Sequence, residues 1–220
     1  VTELITPGLA IIDEVLSPKT NNFLAAISIG KQIGISFFDV STGEFLISQG
    51  TVDEVDKLLQ NFNPSEILVS KQKKQDFSSK FSYPYQLFYL EDWVFQHDFA
   101  KESICTHFKT KNLKGFGIES LNDGVIAAGA IMHYLSETQH QKINHISSIK
   151  RIPKEDYVWM DRFTTRNLEI FNSNNLNAVT LIDVIDKTIS PMGGRLLKRW
   201  LALPLKDLKE INSRHEVVEF

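Results

Sequence analysis

Residues 23–48, "FLAAISIGKQIGISFFDVSTGEFLIS", constrain this chain more than any other stretch. Three apolar, β-prone runs lie there: Phe23 to Ile29, Gly34 to Val40 and Glu44 to Ser48. A Gly30-Lys31 turn separates the first two, and Ser41-Thr42-Gly43 separates the last two. Runs this short, joined by turn residues, predict a three-stranded antiparallel meander. The period then changes. Thr51 and Glu54 stand in capping-box register ahead of Val52, Val55, Leu58, Leu59 and Phe62, the apolar face of a helix. Asn63-Pro64 ends it, and Glu66 to Ser70 reads as a fourth strand. Residues 71–83 are polar and lysine-rich and read as surface. Pro84 to Leu90 reads as a fifth strand and Glu91 to Phe108 as broadly helical. The order βββαβ, continued by mixed elements, predicts a layered α/β domain over residues 21–145.

Gly115-Phe116-Gly117 is too short a glycine pattern to define a nucleotide site. It reads as a tight approach to the next helix, with Ser120-Leu121-Asn122-Asp123 as the cap and an end near Gln139. Ala127, Ala128, Gly129 and Ala130 would let that helix lie close against a sheet.

After His145 the pattern shifts. Asp156 to Met160 reads as a short extended entry, Arg162 to Phe171 as helix and Asn172 to Asn177 as loop, with three helical stretches beyond. Within them, "TISPMGGRLLKRWLALPL" (188–205) sets two glycines beside three cations. A phosphate loop needs G-x-x-x-x-G-K-[ST] between a strand and a helix. These glycines are adjacent, no Gly-Lys-Ser/Thr follows, and Thr180 with Asp183 marks the preceding element as helical. The stretch is instead a helix start: Ser190 caps and Pro191 takes the first helical position. Met192, Leu196 and Trp200 recur every four residues on one face; Arg195, Lys198 and Arg199 share the other. Pro204 ends the helix. Gly193 and its neighbour would permit close helix packing. The three cations read first as a solvated or salt-bridged face, with contact to a DNA backbone as the functional alternative.

Composition excludes several classes. The net charge is -3; residues 151–220 hold 11 Lys and Arg against 10 Asp and Glu, leaving 13 against 17 in the first 150. Neither part carries the basic footprint of a dedicated DNA-binding domain. Cys105 is the only cysteine, so no disulfide forms within the chain, and its place in a helical pattern reads as packing. His97, His107, His133, His140, His145 and His215 show no metal-ligand spacing. There is no signal peptide and no apolar run of spanning length. The chain opens on Val1 and closes in a helical pattern that starts near Asp207, so the expectation is a piece of a longer protein.

The chain resembles the MutS family of DNA mismatch-repair proteins. The resemblance is carried by "VTELITPG" (1–8), "NNFLAAI" (21–27), "DVSTGEF" (39–45), "NPSEIL" (63–68), "LKGFGIE" (113–119) and "AAGAIMHYLSETQ" (127–139). Two longer motifs are more specific: "MDRFTTRNLEIF" (160–171) and "TLIDVIDKTISPMGGRLLKRWLALPL" (180–205). It implies a link at 1–20, an α/β RNase H-like connector domain at 21–145, and the first part of an all-α lever or core at 146–220. It implies no catalysis and no cofactor in this stretch. The longer protein would be a cytoplasmic, homodimeric ATPase that uses ATP and magnesium and reads mismatched double-stranded DNA. The connector would couple the two ends and dock MutL, for which Lys101, Glu102 and Lys109 are the candidate surface. An RNase H-like fold also raises a nuclease alternative with two metals on clustered carboxylates. The first strand has no acid, however, and Asp39 stands beside a turn, where a turn role is the better reading.

Overall fold

The computed structural model describes Gly8 and residues 21–82, 84–138, 146–153, 156–173, 175 and 178–219. The rest of the 1–20 link, Gln139, His140, His145 and part of the loop at 172–177 lie outside the described residues. The described chain divides into two compact units, one built on a sheet and reaching Ile152, the other holding residues from Pro153 onward.

The meander forms as the turns predict. β1 (Phe23–Ile29), β2 (Ile33–Asp39) and β3 (Glu44–Gly50) pair antiparallel, with Leu24 opposite Phe38 and Phe38 opposite Phe45. α1 (Val52–Phe62) starts on the reciprocal Thr51–Glu54 capping box and ends with Asn63 in the left-handed region, φ 42°. β4 (Glu66–Ser70) then runs parallel to β1, and β5 (Leu87–Leu90) parallel to β4. Lys150–Arg151 adds a sixth strand, β6, parallel to β3, which the sequence does not announce. Two residues carry no periodicity; only the neighbouring strand makes them a strand. The order across the sheet is β5-β4-β1-β2-β3-β6.

Both faces of the sheet are buried. On one face, Leu24, Ala26, Phe38, Phe45, Ile47 and Leu68 pack with α3 (His97–Phe108) and α4 (Asn122–Thr138) in one continuous core. The alternate residues Phe23, Ile27, Ile35, Phe37, Ile67 and Val69 are equally buried, as are Val55, Leu58 and Leu59 of α1. That is why the strands read as unbroken apolar runs rather than alternating ones.

Several expectations need correction. The polar stretch 71–83 is not plain surface: it contains α2 (Lys74–Lys80), whose Phe77 is buried and stacks on buried Phe81 at 4.9 Å. Two aromatics suffice to tie down an otherwise solvated helix. Glu91 to Phe108 is not one helix; a 3-10 turn over Asp92–Phe95 precedes α3. Nor is Gly115-Phe116-Gly117 a tight approach, because a Cβ at either glycine would meet nothing within 4 Å. Gly117 is needed for its φ of 67°, which closes a 3-10 turn. The close approaches lie elsewhere. A Cβ on Gly34 would sit 1.9 Å from the Asp123 carbonyl oxygen, and one on Gly129 would sit 2.3 Å from the Ala100 Cβ. Those two positions seat α4 on β2 and α3 on α4.

In the second unit, α5 (Arg162–Asn167) is capped by Asp161 and stops early, because Glu169 takes a left-handed φ of 48°. α6 (Leu181–Ile185) begins where Thr180 and Asp183 indicate. Hydrogen bonds from the Thr180 hydroxyl and then its backbone N–H hold the Asp183 carboxyl below the usual carboxylate range. α7 (Pro191–Ala202) starts on Ser190, whose Oγ accepts from the Gly193 N–H at 3.1 Å, with Pro191 in the first turn. α8 (Leu208–Glu219) is capped by Asp207. The extended entry at 156–158 pairs with residues 204–206, where the Pro204 carbonyl accepts from the Val158 N–H at 2.7 Å. Among the described residues no helix is long and apolar enough to cross a membrane.

Candidate functional site

The amino end of α4 is held by contacts from β3 and from the β1–β2 turn. A helix start leaves N–H groups without intrahelical partners. Here they are met from β3: the Gln49 Oε1 accepts from Asp123 N at 3.1 Å and Gly124 N at 3.3 Å. The predicted local cap at 120–123 is thus replaced by a side chain more than seventy residues away, a signal no short sequence window holds. Asp123 in turn accepts from Gln32 N in the β1–β2 turn. Gln49→Ala should cost about 1 kcal/mol of stability, as the loss of a helix cap does. Gln49→Glu, which keeps an acceptor beside the helix dipole, should cost little. Thermal denaturation of the two variants checks this.

A buried carboxylate sits at the other end of α4. Glu66, only 2% exposed, accepts from the Tyr134 hydroxyl at 3.3 Å and from the Gly8 N–H at 3.2 Å. A Cβ on Gly8 would lie 2.9 Å from Leu24 Cδ1 and 3.0 Å from Glu66 Oε2. Glu66 therefore ties one point of the incoming segment to β4 and α4, where an added Cβ would press on the Leu24 and Glu66 side chains. Nothing in "NPSEIL" distinguishes this glutamate from a solvated one; its burial follows from strand parity, which places it on the α4 face with Leu24 and Leu68.

The residues singled out by sequence fall in two places. Lys101 and Glu102 lie on α3, half-buried and exposed respectively, and Lys109 is exposed at its carboxyl end with φ 52°. On α7, Arg195, Lys198 and Arg199 are each partly buried, whereas Met192 (71% exposed) and Leu196 are open. The expected division into a packed and a solvated face is therefore not sharp, since Trp200 is partly buried as the cations are. Burial, and then the nearby Arg214, holds the Arg199 guanidinium below its ordinary pKa. Lys198 lies close enough to Asp183 to favour its charge. Trp200 lies under the Arg214 guanidinium at 4.5 Å and lines a groove with Pro204, Leu205, Ile211 and Val218.

Asp39 is fully buried. Its Oδ1 accepts from the Ser41 N–H and hydroxyl, and its Oδ2 from the Asn21 amide at 2.6 Å. That is the chemistry of a pinned turn. Among the described residues no three His, Cys, Asp or Glu side chains gather as a metal site. His107 meets the Ile146 carbonyl at 3.0 Å, and His133 packs between aromatic rings.

The sheet with its helices is an α/β domain of a known kind: a family model described as MutS domain II matches residues 22–147, and one described as MutS domain III matches 163–220. The DNA mismatch repair protein MutS of Flavobacterium psychrophilum is 65% identical over 221 aligned positions, all of this chain and 26% of that protein. The same-named proteins of Flavobacterium johnsoniae and Christiangramia forsetii are 62% and 60% identical over the whole chain. The chain belongs to the MutS family, and it spans about a quarter of the length of these curated relatives.

Proposed function

We propose that this chain is the non-catalytic connector of a mismatch-repair sensor, followed by the opening of its helical lever. The observation that carries the connector reading is the strand order: an antiparallel β1-β2-β3 meander continued by parallel β4 and β5 on the far side of β1. That arrangement supports the RNase H-like reading, and the two acids at strand ends beside the first strand are both engaged, Asp39 by its turn and Glu66 by the Tyr134 hydroxyl and the Gly8 N–H. The lever reading is supported by apolar side chains open on short helices, among them Val184, Met192, Leu196 and Val217, which suit a core completed by further segments of a longer protein. In this reading residues 1–20 are the link, 21–145 the connector and 146–220 the lever.

The longer protein would be a homodimer that recognises mismatched DNA and hydrolyses ATP with magnesium, in the cytoplasm. The connector would be the rigid body repositioned between two global states, each favoured by one ligand, which is what coupling requires. It would also present a docking surface to MutL, with Lys101, Glu102 and Lys109 on it. Reversing those three charges should weaken MutL binding about threefold to tenfold, mainly through association, and leave the melting temperature unchanged. Unchanged affinity would remove them from the interface.

The test of the whole reading is a calorimetric titration of this chain with the amino-terminal part of MutL, beside matched and mismatched duplex DNA. The expected result is MutL binding with no mismatch preference. Arg195, Lys198 and Arg199 are a secondary candidate for backbone contact. Partial burial limits them to weak duplex binding that falls steeply with salt. A mismatch preference in the isolated chain would overturn the assignment.

A further inference from the structure

Trp93, 52% exposed, is the most open aromatic among the described residues of the sheet unit. It is held rather than loose. Phe99 meets its ring edge-on at 4.9 Å and His133 at 5.0 Å, and those two meet each other at 5.7 Å. Phe88, on the same sheet face and 37% exposed, stacks on Tyr134, the residue after His133. A fixed, open indole is the kind of group that anchors an interface, because little conformational freedom is lost when it is covered.

The rim is acidic. Glu137 lies 3.5 Å from the His133 ring with its side chain 61% exposed, and Asp98, beside Phe99, is fully open. Asp92 and Glu91 flank the indole in sequence but are engaged, Asp92 by the Ser70 hydroxyl and Gln72 N–H, Glu91 by Lys71. Asp98 stands one turn before Lys101 and Glu102 on α3. Asp98 and Glu137 each lie 3.5 Å from a histidine nitrogen, of His97 and His133, and stay exposed; an aromatic face with such carboxylates at its rim is complementary to a guanidinium, which stacks on the ring and hydrogen-bonds the carboxylate with its planar fork.

We propose that Trp93, with Asp98 and Glu137, is the docking point for an arginine presented by a partner protein. This rests on the reading of the sheet domain as a partner-docking connector, and the partner in that reading is MutL. The test is a titration of the chain with the amino-terminal part of MutL, using Trp93→Ala, Trp93→Phe and the double variant Asp98→Asn, Glu137→Gln. Circular dichroism and melting temperature control for folding. Trp93→Ala should weaken binding about tenfold or more, and Trp93→Phe should restore part of it. The double variant should weaken binding about threefold or more and flatten its salt dependence.

Wild-type binding that Trp93→Ala leaves within about twofold overturns this inference and leaves the docking reading standing. Absence of wild-type binding overturns both. A Trp93→Ala effect on duplex DNA with none on MutL assigns the ring to base stacking and overturns the protein-docking inference. If Trp93→Ala fails to fold, the exposed carboxylate pair decides: unchanged affinity there overturns the proposal.

Discussion

Gly34→Ala should destabilise the sheet unit by about 3 kcal/mol or more, a single methyl group notwithstanding. The added Cβ would stand 1.9 Å from the Asp123 carbonyl oxygen, 2.0 Å from its carbon and 2.5 Å from Gly124 N. All three are backbone atoms at the start of α4, so no side chain can swing aside. Relief would require α4 to lift from β2, breaking the Gln49 cap and the Asp123 bond to the β1–β2 turn together. The melting temperature should fall on the order of 10 °C. Gly115→Ala is the control, since nothing lies within 4 Å of its Cβ position; a loss as large there as at Gly34 would mean that backbone freedom rather than close approach sets the effect.

Phe38→Ala should cost about 3–5 kcal/mol, the range for removing a buried aromatic and leaving a cavity. Phe38 is fully buried, meets Phe45 edge-on at 5.6 Å and lies in the core shared with α4. Its neighbour Phe37 is equally buried on the opposite face, against Phe23 at 6.1 Å. Because the two side chains share no packing partner of this kind, Phe37→Ala should cost a similar amount and the double variant roughly the sum. Phe163, 67% exposed on α5, should cost little when truncated. Denaturant unfolding measures all four. A small loss at Phe38 would mean that the α4 face is not the principal core.

What is legible in the sequence here is what is encoded within a few residues. The meander follows from turn residues between apolar runs, and α1, α6 and α7 follow from caps whose donor and acceptor are three residues apart. The candidate surfaces were legible only as composition: Lys101, Glu102 and Lys109 announce themselves by charge, whereas Trp93 reads as one more apolar residue in a helical stretch. Its significance comes from Phe99 and His133, six and forty positions away, which hold the ring while leaving it open.

By itself, then, the sequence determined the first five strands, most helix starts and the membership of a family, because hydrogen-bonding partners at short range and periodicity at 2 or 3.6 residues are local properties. Tertiary structure alone decided which glycines are indispensable, which glutamate is buried, which side chain caps α4, that Lys150–Arg151 becomes a strand, and which face of α7 is open. Each of these depends on a partner brought near by the fold from many residues away, and no window of the chain contains both halves of such a pair.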